Sequence, residues 1–303
     1  MWRRGIFTAP ALVLAVYVLL LCSRFLDISL FADSNGYLTV VVMQLLIFLL
    51  PAAIYCKLRG DHIRGRLRIR FVGLDQILLV LAAALTLICG ALVISFAMGG
   101  DQNDLRFTLY EQFSATTDGG AGNLLYAVVA FAVLPAVCEE FVFRGVLCAE
   151  LEKNGLPASV LISALFFAML HFDLPRFPLY FFAGVVLAMV LYATRSVLGP
   201  IFVHLLYNIF GLFGRPYMTE LYARTGSASL FVFLLAALFL LSLILFFGEA
   251  ARSYSGYARR GLRADDYRPD TPREKGSSPF AEALLTPLGL LAALFYVIVI
   301  IAV

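Results

Sequence analysis

Charge disappears from this chain in long blocks. Nine stretches, residues 6–23, 37–56, 77–98, 123–138, 156–170, 177–194, 196–213, 227–248 and 283–303, contain no Asp, Glu, Lys or Arg and run from 15 to 22 residues. About 20 apolar residues cross the hydrocarbon core of a bilayer as a helix. Within the blocks Leu, Ala, Val and Phe follow one another without the alternation of period two that a barrel strand needs. The pattern predicts an all-α, polytopic integral membrane helix bundle with eight or nine transmembrane helices. Composition agrees: of 303 residues 62% are hydrophobic and 14% charged, whereas a soluble domain is nearer half and a quarter. A soluble enzyme is excluded.

The placement of the basic residues predicts orientation. With Arg3 and Arg4 inside, 17 Lys and Arg fall on the same side, including Lys57, Arg59, Arg64, Arg66, Arg68 and Arg70, then Lys153, Arg195 and seven between 252 and 275, against five opposite. The expectation is a cytoplasmic N-terminus, an external C-terminus and a cell-membrane location. The acidic 99–122 loop, with Asp101, Asp104, Glu111 and Asp118, would be external. Residues 6–23 read as an anchor and not a cleaved leader, since no small-x-small site follows them. Five cysteines, an odd number with no Cys-x-x-Cys, read as buried apolar groups. No internal repeat is seen. Five regions are expected: helices one to three (1–122), a core of helices four to seven (123–213), an eighth helix (214–248), a flexible cytoplasmic linker rich in Arg, Ser, Gly and Pro (249–282), and a last helix (283–303). The basic 57–70 stretch is expected to set topology. The net charge of +3 calls for no nucleic-acid partner; the expected partners are the lipid bilayer and a membrane-associated protein or peptide.

Chemistry is sought where apolarity is broken. Between Asn123 and Ala149 the charged residues are Glu139, Glu140 and Arg144, and a charge within a span costs at least a few kcal/mol. The apolar pattern continues past them to Asn154-Gly155, a helix stop, with Pro157 placed to open the next helix. A helix from about 124 to 153 would carry the carboxylates near its middle. His171, 16 residues after Gly155, matches Glu140, 15 before it, so a hairpin brings both to roughly 20 Å from the turn. Gly199-Pro200 starts a further helix in which His204 and Asn208 share a face. His204 would lie only about 13 Å below Arg195, so either the 195–199 turn dips into the membrane or the site is off-centre. Of the three histidines, His62 lies among loop arginines. Glu140 and Arg144, at i and i+4, are expected to pair. Glu139, rotated by about 100° and without such a partner, is expected to do the chemistry.

The motifs Glu139-Glu140-x-x-x-Arg144, Phe167-x-x-x-His171 and His204-x-x-x-Asn208, in that order on successive apolar helices, resemble those of the CAAX protease and bacteriocin-processing (CPBP) family, also called the abortive-infection or type II CAAX prenyl endopeptidase family. The resemblance covers about 123–213. It implies an intramembrane endopeptidase acting on membrane-associated or lipidated polypeptides. The residue matching Glu139 would activate water with His171, and His204 and Asn208 would bind the oxyanion or a metal. Two arrangements stay open. His171, His204 and Glu140 could hold zinc with Glu139 as base; or Glu139 and His171 could polarise water while His204 and Asn208 donate to the oxyanion. The metal-free glutamate mechanism is preferred, because His204 and Asn208 look like paired donors and amide ligands to zinc are uncommon. A proton- or ion-coupled transporter would also bury Glu, His and Arg, and a non-catalytic scaffold is the third reading. Polar residues gathered at one level, without repeated halves, favour the protease.

Overall fold

The computed structural model describes residues 9–25, 36–60, 63, 65–99, 121–262 and 279–302. Regular structure among the described residues is entirely helical. Helix α1 is Ala9–Phe25; α2 passes through Gly36–Gln44, a π-helical turn Leu45–Leu49 and Leu50–Arg59; α3 is Ile77–Ala97, led in by a 3₁₀ turn at Leu74–Gln76. Helix α4 runs from Ala121–Val128 through Val129–Val133 (π), Leu134–Glu140, Phe141–Leu147 (π) and Cys148–Leu151 to a 3₁₀ turn at Glu152–Asn154. Then come α5 (Leu156–Met169), α6 (Phe177–Thr194), α7 (Leu198–Phe213), α8 (Arg215–Thr225), α9 (Ala228–Arg259), α10 (Pro279–Leu284) and α11 (Pro287–Ala302). Five spans, Val40–Arg59, Leu74–Ala97, Leu124–Asn154, Phe177–Thr194 and Ala228–Arg259, are long and apolar enough to cross a membrane. Four apolar helices are shorter: Ala9–Ser23, Leu156–Met169, Leu198–Phe213 and Pro287–Ile301. Together they account for the nine uncharged blocks, and the chain is a polytopic helical membrane bundle.

Two of the π turns have a visible cause. Leu45–Leu49 and Val129–Val133 each stop just before a Leu-Pro pair, Leu50-Pro51 and Leu134-Pro135. Proline lacks an N–H and its ring crowds the preceding turn, so the helix widens and carbonyls there need other donors. In hydrocarbon those donors must be protein. The Gln44 amide donates to Ala130 O (3.4 Å) and the Asn208 amide to Ala132 O (3.4 Å). From α5, the Ser163 hydroxyl donates to Phe143 O (3.3 Å) and Ser159 to Cys148 O (3.1 Å).

The basic 57–70 stretch, expected to set topology, packs back onto the bundle through its described residues. Arg59 pairs with Glu150 (2.8 Å) and Arg68 with Glu152 (2.7 Å), both acids being buried near the α4–α5 turn. Arg66 also donates to Ala149 O. Beyond it, Arg70 donates to Arg195 O, Ser196 donates to Arg70 O, and Val197 N donates to Arg68 O (3.1 Å). Arg195, left-handed at φ 54 and buried, is therefore covered by the α2–α3 connection.

The linker expected over 249–282 is helical in its first part, since α9 continues to Arg259. Tyr257 accounts for this: its hydroxyl donates to Ala193 O (2.6 Å) and accepts from Gln76 (2.7 Å), tying the end of α9 to α3 and α6. Tertiary anchoring here overrides a Ser- and Gly-containing sequence. Residues 263–278 of that linker, and 100–120 of the acidic loop, lie outside the described residues. Helix α8, charged and close to the membrane-length helices, is a second element that the uncharged blocks do not reveal.

Candidate active site

Four elements build the site: the middle of α4, the end of α5, the first turn of α6 and the middle of α7. On α4 the Arg144 guanidinium donates to Glu140 Oε1 (2.8 Å) through Nη1 and to Gly184 O (3.1 Å) through Nη2. Both side chains are sealed from the surface, Glu140 at 0% and Arg144 at 1% exposure. A pair so buried is tolerated only with further hydrogen bonds, and His204 of α7 supplies one, its Nδ1 lying 2.9 Å from the same Glu140 oxygen. The guanidinium also lies over the Phe167 ring at 4.3 Å, a cation–π contact in a dry setting. The expected i to i+4 pairing is present.

Gly184 allows this. A Cβ on it would come within 2.7 Å of Ala164 Cα and 2.8 Å of Ala164 Cβ, so α5 and α6 cross almost backbone to backbone. Their closeness places the Gly184 carbonyl against Arg144. No sequence pattern had marked this glycine.

His171 sits in the turn just past α5, not in the helix. Phe172 after it has φ 47, a left-handed conformation that costs an aromatic residue strain. Rings from three sides hold Phe172 there: Tyr17 of α1 at 5.6 Å, and Phe295 and Tyr296 of α11 at 6.3 and 5.8 Å. His171 Nδ1 lies 3.0 Å from Phe167 O. A carbonyl only accepts, so Nδ1 carries the proton and Nε2 keeps its lone pair. Phe167 stands edge-on to both His171 (5.2 Å) and His204 (6.1 Å), making it the hub between the two imidazoles. A chain of contacts through Arg144 and Phe167 thus links Glu140 to His171.

Glu139 differs from its neighbour. It is half-buried, and its carboxylate has no hydrogen-bond partner among the described residues, yet it lies in electrostatic contact with His204, Glu140 and Arg144. Asn208, buried, has one amide N–H on Ala132 O, so a second remains. That N–H is directed away from Glu140: Ala132 lies eight residues, about 12 Å, earlier in α4. One oxygen of Glu140, Oε2, is buried without a hydrogen bond.

The zinc set His171, His204 and Glu140 fits this arrangement poorly. Among the described residues no three His, Cys, Asp or Glu side chains converge as ligands, and the Glu140 oxygen nearest a histidine is already shared by Arg144 and His204.

Three residues at the site escaped the sequence reading: Gly184, Phe167 as a contact, and Tyr180, whose ring stacks on His171. Only Phe167 left a trace, its i to i+4 spacing from His171.

Residues 121–210 match the family model described as type II CAAX prenyl endopeptidase Rce1-like, so the resemblance carried by the three motifs holds over the segment that contains them. A relative, the membrane-embedded CAAX protease MroQ of Staphylococcus aureus (strain USA300), is 33% identical over 86 residues, covering 26% of this chain and 35% of the relative. The match thus spans about a third of that curated protein. No solved structure matches the chain significantly.

Proposed function

We propose that this chain is an intramembrane endopeptidase that hydrolyses peptide bonds of membrane-associated or lipidated polypeptides. One observation carries the reading: of two adjacent carboxylates within the Leu124–Asn154 span, Glu140 is held by Arg144 and His204, while Glu139 beside it is only half-buried and uncommitted. Paired environments that separate two carboxylates in this way assign them different tasks. The match over 121–210 supplies the reaction class.

In this reading Glu139 takes a proton from water whose other hydrogen is held by the His171 Nε2 lone pair, and the hydroxide attacks the scissile carbonyl carbon. The carbonyl π bond opens, leaving a tetrahedral carbon with an oxyanion. Asn208, through its remaining N–H, donates to that oxygen. His204 can donate from Nε2 only as a doubly protonated ring, because its Nδ1–H is directed at Glu140; the Glu140 carboxylate is then its counter-charge. Collapse of the intermediate breaks the C–N bond, and Glu139 returns its proton to the leaving amine. Each oxyanion donor is worth about 3 kcal/mol. No step requires a metal.

The test is purified protein in lipid nanodiscs with internally quenched peptides, farnesylated with a CAAX-type end or unprenylated and membrane-anchored. Wild type should cut one of them, and Glu139→Gln should cut neither while keeping its helical content and melting temperature. Cleavage by Glu139→Gln, or none by wild type, overturns the assignment. The same variant, used as a trap in cells, identifies the retained polypeptides.

A further inference from the structure

The Tyr180 and His171 rings are nearly parallel, 13° apart, with centroids 3.7 Å from each other. This is the closest of the ring contacts at the site, and neither the motifs nor the proposed chemistry uses Tyr180. His171 needs such a neighbour. It lies in a turn beyond the end of α5, where the helix no longer fixes its side chain, and the hydrogen bond of its ring runs from Nδ1 to Phe167 O at 3.0 Å, with Ala168 O alongside. That bond sets which nitrogen carries the proton; it leaves the plane of the ring free to swing about the Nδ1 axis. Phe167, edge-on at 5.2 Å, blocks one direction, and the Tyr180 face blocks the other. Tyr180 is itself braced. It belongs to the first turn of α6, and its hydroxyl is in hydrogen-bonding reach of Arg176, which pairs with Asp173 at 3.3 Å.

We propose that Tyr180 is a positioning residue for the hydrolytic reaction: its ring clamps the His171 imidazole in the plane that aims Nε2 at the water activated by Glu139. The inference rests on the endopeptidase reading, and it deepens it by adding a residue that touches neither water nor substrate. The ring performs the work, not the hydroxyl. Tyr180→Phe should therefore retain the clamp, and Tyr180→Leu should lose it.

Two measurements test this on the full chain in nanodiscs. With the quenched peptide that wild type cuts, Tyr180→Leu should lower kcat about 10 to 100-fold at unchanged KM, the scale of a misaimed catalytic group, while Tyr180→Phe stays within about threefold of wild type. The second readout needs no substrate. The chain has three histidines, so ring-¹⁵N labelling gives three sets of nitrogen signals, assigned by His→Gln variants. In wild type and Tyr180→Phe, His171 should show the fixed Nδ1–H tautomer; in Tyr180→Leu its signals should move toward the averaged position, with those of His204 unchanged as proof of folding. Unaltered His171 signals or full kcat in Tyr180→Leu overturns the proposal, as does equal loss in the Phe and Leu variants. If wild type cuts no peptide, the endopeptidase reading fails, and the ring signals alone still decide whether Tyr180 holds His171.

Discussion

Adding one carbon at Gly184 should damage the site more than adding the same carbon at Gly145, although Gly145 adjoins Arg144 in sequence. An alanine Cβ at 184 would lie 2.7 Å from Ala164 Cα, 2.8 Å from its Cβ and 3.1 Å from its carbonyl oxygen. Ordinary carbon contact begins near 3.5 Å, so α5 and α6 must separate by about 1 Å. Backbone cannot rotate aside as a side chain can. Overpacking of this kind costs about 1–3 kcal/mol. The same separation stretches the Arg144 bond to Gly184 O, now 3.1 Å, beyond hydrogen-bonding distance, adding about 1.5–3 kcal/mol for a bond from a charged donor. The expected total is about 2.5–6 kcal/mol, with loss of cleavage because Arg144 loses the Gly184 carbonyl that helps hold it against Glu140. At Gly145 the nearest atoms to a new Cβ are Phe141 Cδ2 at 3.7 Å and Leu67 Cδ2 at 3.8 Å. Gly145→Ala should be neutral or stabilising by up to about 1 kcal/mol through helix propensity. Unfolding titrated with SDS in mixed micelles, followed by circular dichroism and by peptide cleavage, measures both. A Gly184→Ala protein as stable and active as wild type would refute the close-crossing argument; equal losses at 184 and 145 would show that generic helix effects, not packing, are being measured.

Four further outcomes are expected. Glu140→Gln and Arg144→Ala should each cost about 3–5 kcal/mol, and their double-mutant cycle should show coupling, since each leaves the other's charge buried and unpaired; additive effects would reject the pairing. Asn208→Ala should lower kcat about 100 to 1000-fold with little change in KM; a loss of stability alone would reduce Asn208 to a donor for the Ala132 carbonyl. Chelation should leave cleavage intact, whereas stoichiometric zinc that is lost together with activity in His204→Ala would overturn the metal-free mechanism. Reporters fused within 57–70 should read as cytoplasmic and within 101–121 as external; the reverse would invert the bundle.

Features that repeat along the chain could be read from sequence alone. Uncharged blocks of membrane length reflect a solvent that penalises every charge, so the nine apolar helices among the described residues were visible, and the stop at Asn154-Gly155 followed by Pro157 located the α4–α5 hairpin. The Glu140–Arg144 pair followed from helical spacing. What stayed hidden depends on contacts between distant segments. No spacing in the sequence singles out Glu150 and Glu152, which Arg59 and Arg68 close over. Likewise α9 outlasts its apolar run because Tyr257 finds Gln76 and Ala193, far away in sequence. Gly184 and Tyr180 are unremarkable letters in an apolar stretch; a close crossing and a stacked ring are properties of two helices together.

The two π turns of α4 have a consequence for how this segment can change length. A π turn closes its hydrogen bonds over one more residue than an α turn, so Val129–Val133 and Phe141–Leu147 each hold a residue in reserve on either side of Leu134–Glu140. Loss of a residue from either turn can be absorbed by tightening to α geometry, with the acidic pair kept in place. Loss of one within Leu134–Glu140 cannot: the acids would rotate by about 100° relative to what precedes them, turning Glu139 away from His204 and breaking the alignment of Glu140 with the same histidine. Length variation among homologous chains should accordingly collect in the two π turns and avoid the seven residues between them.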